Sequence, residues 1–427
     1  MGESAAHRSR WTTRDRTVGM NLDETTISGR SHPAQPKARR LRGVDATRGI
    51  ALVGMMGVHA LYTGDLDEGP ALWYSVAGGR AAATFAVLAG LGIAFSTGRE
   101  RIRPGAQGWS IAASLTVRAL AIAFIGLALG YSDPDIADVI LTYYGVLFLL
   151  AIPLVFLSTR ALAVTGVAVA LLMPVVSMPL RVLLPAPRLE NPTFAWLFSD
   201  PLGLLAEILL TGVYPVLPWT TYLCAGLLLG RLRLSTVRTA WRLLVGGTAL
   251  AAGAWLVSWS LLRPLGGLEK ITEAGEAAGM PSGAVDYIVA FGPTGNPPTS
   301  SWWWLALCSQ HSATPSDLLH TTGVAVGLLG LMLLLAHVSN PNYRLALDAF
   351  IEPLAAAGSM TLTLYSAHVV FMNSPLDVFD EELSLAIQVL VAVFFALLWQ
   401  HHVGRGPLES GVTWLSKKAR TAVEHRA

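Results

Sequence analysis

Asp45, Arg48 and His59 carry the clearest chemical signal in this chain. Asp45 and Arg48 are three residues apart in Arg42-Gly43-Val44-Asp45-Ala46-Thr47-Arg48-Gly49-Ile50-Ala51, and His59 follows eleven residues after Arg48. Eleven residues is almost three full helical turns, so Arg48 and His59 share one face. Roughly 16 Å separates them along the axis, about half the hydrocarbon thickness of a bilayer. Ionisable groups at such depth are expensive and mark a pathway or a reaction site. A planar guanidinium suits phosphate groups. A histidine that stays neutral can act as a general base near pH 7. The pattern thus reads as an anion holder at the mouth of a helix, oriented by Asp45, with a base deep inside.

Further polar groups fall at a similar depth in other apolar runs. They are Arg80, Tyr143 and Tyr144, Tyr214 and Trp219, His311 and Thr314, and the i, i+4, i+7 set Thr361, Tyr365 and His368. Singly, each has a plainer reading: a helix–helix hydrogen bond for a histidine, snorkelling for Arg80, an interfacial belt for the tyrosines. Asp45 and Arg48 also suit a helix cap and a positive-inside charge. Together they predict a cavity. Arg80, Tyr144, Tyr214, Trp219, His311 and Tyr365 are the expected lining of that cavity. His59 is the expected base, and His368 competes for that role. Gly78-Gly79 and Gly90-x-Gly92 read as close helix packing. His401 and His402 are adjacent, point in different directions and make a poor chelate, so no metal site is expected.

The elements that must hold these groups are membrane helices. The chain has 427 residues, 53% hydrophobic and 14% charged, against about 25% charged in soluble domains. Its net charge of +2 gives no basis for nucleic-acid binding. The two cysteines, Cys224 and Cys308, form no framework. Apolar runs of spanning length lie near 44–63, 73–96, 111–130, 138–157, 161–183, 203–230, 242–262, 319–338, 354–373 and 384–403. Pro215 and Pro218 predict a break in the sixth. The expectation is an all-α bundle of ten spans. Residues 1–38 read as a disordered cytoplasmic tail, 39–415 as the membrane domain, and 416–427 as a C-terminal tail.

Charge placement orients the bundle. Arg39, Arg40 and Arg42 precede span one; Arg99, Arg101 and Arg103 follow span two; Arg231, Arg233 and Arg238 follow span six; Arg405, Lys417 and Lys418 follow span ten. The intervening loops hold Asp65, Asp67, Glu68, Asp133, Asp135, Asp377 and Asp380. Both termini are therefore expected in the cytoplasm. Residues 263–318, with Trp302-Trp303-Trp304, form a long loop on the other side. Those tryptophans suit an interfacial anchor or stacking on a sugar.

The same motifs resemble a known group. Arg42-x-x-Asp45-x-x-Arg48-Gly49-Ile50-Ala51 is similar to the first helix of heparan-α-glucosaminide N-acetyltransferases and of bacterial YeiB-like membrane proteins. Gly79-Arg80-x-Ala82-x-x-Phe85-x-x-Leu88-Ala89-Gly90 resembles the second-helix motif of their actinobacterial relatives. Tyr143-Tyr144-Gly145-Val146-Leu147, Tyr214-Pro215-x-x-Pro218-Trp219, His311-Ser312-x-Thr314-Pro315 and Gly358-Ser359-Met360-x-Leu362-Thr363-x-Tyr365 continue the likeness, and Gly406-Pro407-Leu408-Glu409 closes it. The Arg48–His59 spacing is also similar to acyltransferase family 3. The resemblance implies transfer of an acetyl-type group from cytoplasmic acyl-CoA to a glycan or glycolipid acceptor across the plasma membrane, amid membrane lipids. The heparan enzymes use a histidine in the first outer loop. Leu61–Leu72 contains none, so His59 takes that role by analogy with acyltransferase family 3. A transporter or flippase of an envelope intermediate, a channel-like protein and a non-catalytic partner in envelope assembly are the alternatives. A homo-oligomer is compatible with all of them.

Overall fold

The computed structural model describes residues 41–425. The expected N-terminal tail, with Arg39 and Arg40, lies outside the described residues. The rest is helical. The helices are α1 (Arg42–Ala60), α2 (Leu72–Ala77), α3 (Arg80–Ser96), α4 (Ala106–Leu129), α5 (Leu141–Val155), α6 (Thr159–Leu183), α7 (Phe194–Ser199), α8 (Pro201–Ala206) and α9 (Val216–Gly230). They continue with α10 (Val237–Leu262), α11 (Gly267–Ala277), α12 (Ala284–Phe291), α13 (Pro315–His337), α14 (Pro341–Gly358), α15 (Thr361–Met372), α16 (Glu381–His402) and α17 (Pro407–Glu424). The one sheet among the described residues is a two-residue hairpin, β1 (Gly64–Asp65) with β2 (Gly69–Pro70).

The helix starts follow from local chemistry. Ser158, Thr236, Thr314 and Asp380 each accept a backbone N–H of the first turn, and α8, α13, α14 and α17 begin with proline. Helices meet where small residues allow backbones to touch. Gly90 of α3 abuts the backbone of Leu223 and Gly226 of α9. Gly247 of α10 sits against Gly323 and Gly327 of α13, and Gly358 of α14 against Asp45 of α1. A Cβ at any of these positions would collide with main chain, the mark of tight membrane-helix packing.

Six helical segments are long and apolar enough to cross a membrane, or up to eight if each of two bent pairs is one span. This is fewer than the ten runs read from sequence, for two reasons. α1 carries Arg42, Asp45 and Arg48 and lies inside the bundle, touching α3, α13, α14, α15 and α16. α5 has only 15 residues. The bent pairs are α8–α9, turned by 54°, and α14–α15, turned by 78°. Proline explains the first: a π-helical turn at Glu207–Thr211 leads to Pro215, which caps α9. The second breaks at Ser359-Met360, where no proline stands.

The bundle has two distinct ends. At one, Arg101 donates to the Phe156 carbonyl (2.7 Å), Arg231 to Leu157 (3.0 Å) and His337 Nε2 to Ser235 (3.0 Å). At the other, the Asn373 side chain accepts from Asp133 N (2.7 Å), and Glu381 accepts from Tyr62 N. In the hairpin beside it, the Glu68 N–H and the Tyr62 hydroxyl hold the Asp65 carboxyl below its usual range. The basic loops thus gather at one end and the acidic loops at the other. Residues 263–318, read from the sequence as one long loop, contain α11 and α12. They enclose a small core in which Trp304 is fully buried with Ile271 and Leu307, while Trp302 is exposed. Residues 416–424, expected as part of a tail, belong to α17, which packs along α4.

Candidate active site

Helix α1 runs between the two chemical regions of the molecule. At its basic end, Arg48 Nη1 donates to Asp45 Oδ1 at 2.9 Å. Its Nη2 lies 3.4 Å from the Leu88 carbonyl and fits over Gly92, where any side chain would crowd it. Both partners of this pair are largely shielded.

Arg48 lines an open cavity of about 220 Å³ bordered by α1, α3, α4, α5, α14, α15 and α17. A second arginine, Arg118, enters it from α4. Its Nε is buried without a partner, and its guanidinium lies 5.4 Å from the centre of the Phe148 ring. An unmatched buried donor of this kind is costly unless an acceptor arrives. Sequence reading passed over Arg118, although it is the one charged residue between 111 and 130.

The cavity's acidic group, Glu409, has a structural task. Its Oε1 accepts the N–H groups of Leu362 (2.7 Å) and Thr363 (3.1 Å), and its Oε2 accepts the Thr363 hydroxyl (2.6 Å). A carboxylate there caps α15 and opposes its dipole. This explains why Gly-Pro-Leu-Glu near the C-terminus accompanies Leu362-Thr363. It also fixes the helix that carries Tyr365 and His368.

The cavity extends from the arginines to Met55, Tyr144 and Tyr365. Tyr144 donates to the Ala82 carbonyl at 2.8 Å. Beyond Tyr365 stands His59, with ring centres 6.5 Å apart. His59 Nδ1 is 3.1 Å from His368 Nε2. The two histidines that sequence reading set in competition are therefore hydrogen-bonded to each other. His368 continues to Gln388 Oε1 through Nδ1, at 2.5 Å. Gln388 Nε2 donates to Ser384 Oγ at 3.0 Å, and Ser384 Oγ donates to Asp377 Oδ1 at 2.7 Å. Gln388 also escaped the sequence reading. The available signal was a single buried amide within an apolar helix.

Several other expected residues gather nearby. The hydroxyls of Tyr214 and Tyr365 share the Asp138 carbonyl, at 3.5 and 3.4 Å. Tyr214 packs edge-on against Tyr143, Trp219 and His311. His311 adopts a left-handed backbone, φ 56°, and its Nδ1 is buried without a partner. Few non-glycine residues sit in that region, and strain of this kind concentrates at functional sites. Arg80 lies on the His311 side of this group. It begins α3, donates to the Gly78 carbonyl at 3.1 Å, and approaches His320 Nε2 at 3.5 Å. Thr314 caps α13 and so positions the His311 turn.

The arrangement offers a cavity with two arginines at one end and Tyr144 and Tyr365 at the other, and a histidine cluster beyond Tyr365. Among the described residues, no group of three metal-ligating side chains comes together. A comparison with curated proteins gave no match. The family profile described as heparan-alpha-glucosaminide N-acetyltransferase, catalytic, matches residues 40–262. That segment begins just before α1 and ends with α10, so it includes Arg48, His59, Arg80, Arg118, Tyr144, Tyr214 and Trp219, while His311, Tyr365 and His368 lie beyond it. With more than half its length matched, the chain belongs to the heparan-alpha-glucosaminide N-acetyltransferase catalytic family, a family of membrane acetyltransferases.

Proposed function

We propose that this protein moves an acetyl-type group from cytoplasmic acyl-CoA to an amine or hydroxyl of a cell-envelope glycan or glycolipid on the far side of the plasma membrane. The observation that carries the reading is the cavity holding Arg48 and Arg118, with Tyr365 at its other end beside His59. Two guanidinium groups, one with an unmatched donor, suit a multiply charged phosphate ligand. At about 220 Å³ the cavity is too small for a whole nucleotide-bearing donor, and in this reading it takes part of the slender pantetheine arm. In this reading the phosphates stay near Arg48, with Asp45 orienting it, and the thioester reaches toward His59.

The chemistry then balances around one nitrogen. His59 accepts a proton from the acceptor amine or hydroxyl while that atom bonds to the acetyl carbonyl carbon. The carbon–sulfur bond breaks. The departing thiolate takes the proton back from His59, leaving acetylated acceptor, free CoA thiol and neutral imidazole. Arg80, Tyr144, Tyr214, Trp219, His311 and Tyr365 are the acceptor-side residues in this scheme. This is direct transfer; in the alternative route His59 first takes the acetyl group from sulfur as an acyl-histidine and then passes it to the acceptor.

Topology supports the sidedness. Adding α1 and α5 to the eight spans gives ten crossings with both termini cytoplasmic. The arginine-rich loops that meet at the Arg48 end then lie inside, as the positive-inside rule requires. A transporter is the second reading, favoured by the two bent helix pairs, since broken helices line transport sites. Thermal unfolding of the purified protein with acetyl-CoA separates the two. The transferase is stabilised in a concentration-dependent way. A correctly folded sample that shows no shift with any acyl-CoA points to the transporter.

A further inference from the structure

A chain of five polar side chains is drawn from four segments: His59 on α1, His368 on α15, Gln388 and Ser384 on α16, and Asp377 in the loop between α15 and α16. Every link is 3.1 Å or shorter. His368, Gln388 and Ser384 are buried, and Asp377 is half-exposed where that loop reaches the surface. No part of this line touches the donor cavity.

The chemistry of the groups gives the chain a single direction. A carboxylate only accepts, so the one hydroxyl proton of Ser384 goes to Asp377. The Ser384 oxygen must then accept from Gln388, which fixes the amide with its NH₂ toward Ser384 and its oxygen toward His368. An amide oxygen also only accepts, so His368 carries its proton on Nδ1 and presents a bare Nε2. The partner of that bare nitrogen, His59 Nδ1, must donate. His59 Nε2 is consequently left with its lone pair.

We infer that His368, Gln388, Ser384 and Asp377 form a one-way hydrogen-bond line that fixes the His59 tautomer, keeping Nε2 available as the proton acceptor. The inference rests on His59 being the base of the transfer described above. The four partners are positioning residues: none needs to touch donor or acceptor. The line anchors the ring orientation and, once His59 becomes an imidazolium, gives its Nδ1–H a fixed acceptor. The order of importance is unusual. Ser384, three links away from His59, decides the tautomer because it alone transmits the direction set by Asp377.

The test reads the tautomer directly. The ten histidines are labelled with nitrogen-15 in protein reconstituted into lipid nanodiscs, and the His59 and His368 signals are assigned from the His59→Asn and His368→Asn spectra. The wild type should show His59 protonated at Nδ1 alone and His368 protonated at Nδ1 alone. Ser384→Ala frees the amide to turn, so both histidines should become tautomer mixtures. Gln388→Leu should do the same and lower kcat for transfer from acetyl-CoA by about tenfold, less than the loss of a general base itself, with KM for acetyl-CoA unchanged. Gln388→Glu keeps an acceptor for His368 and should restore the single tautomer. If Gln388→Leu does not fold, Ser384→Ala decides alone, since it removes one hydroxyl. Retention of the Nδ1-protonated His59 in Ser384→Ala or in folded Gln388→Leu overturns the inference. Failure of the acetyltransferase reading looks different: the wild type then keeps its single tautomer but is not stabilised by acetyl-CoA.

Discussion

The two ends of α1 solve opposite problems. Around Arg48 the groups are charged and incompletely matched: Arg118 Nε has no partner, and the cavity stands open beside it. Around His59 the groups are uncharged and joined to one another through His368, Gln388 and Ser384. An unsatisfied arginine favours a ligand that completes it, whereas a satisfied neutral network favours a fixed geometry. The contrast assigns binding to one end and reaction to the other. It also explains how a helix carrying Asp45 and Arg48 survives in an apolar bundle: they pair with each other under the surrounding helices, while Arg42 is exposed and pairs with Asp348 and Glu352.

The contrast breaks most sharply at His59. His59→Ala is expected to lower transfer by about 10²-fold or more, the scale of a lost general base, while acetyl-CoA still stabilises the protein. His368→Ala should lose about tenfold, because the base stays and only its orientation is lost. If His368→Ala is the more damaging of the two in one assay, the chemistry belongs to α15.

At the other end, Arg48→Lys keeps the charge but loses the planar fork. Arg118→Met keeps the volume but loses the charge. Each should weaken acetyl-CoA affinity by about tenfold, equivalent to about 1.4 kcal/mol, with kcat nearly unchanged. An unaltered midpoint in an acetyl-CoA titration would leave Arg48 as a topology charge only. Arg80→Gln should raise the acceptor requirement several-fold and leave acetyl-CoA binding intact, because Arg80 lies apart from the donor cavity, against Gly78 and His320.

The smallest effect concerns the frame rather than either end. Glu409→Gln retains one cap acceptor but removes the charge that faces the α15 N-terminus. It should cost about 1 kcal/mol, read as a modest fall in melting temperature. A fall in donor affinity larger than Arg48→Lys produces would make Glu409 part of the binding site instead.

Local patterns were legible where a helix encodes them. The Arg48–His59 spacing, the Thr361–Tyr365–His368 face and the proline break before α9 all depend on residues within a few turns of each other. What stayed hidden depends on distant segments meeting. Glu409 reaches Thr363 across 46 residues, and Gln388 reaches His368 from the neighbouring helix. The bend at Ser359-Met360 has no proline to announce it. The small core within the long loop stayed hidden too, because Ile271, Val285, Trp304 and Leu307 build it from separated positions. Arg118 was overlooked because an apolar window absorbs a single charge.

The separation of binding from reaction is the central claim, and one crossed experiment tests it. Membranes carrying wild type, Arg48→Lys or His59→Ala are incubated with radiolabelled acetyl-CoA, and label is counted in their glycan and glycolipid fraction. The same three proteins are purified and melted with and without acetyl-CoA. The wild type should show both label and stabilisation. Arg48→Lys should lose stabilisation at low donor concentration and recover label at high concentration. His59→Ala should keep full stabilisation and lose label at every concentration. Label retained by His59→Ala, or stabilisation lost by both variants together, would contradict the division of α1 into a binding end and a reacting end.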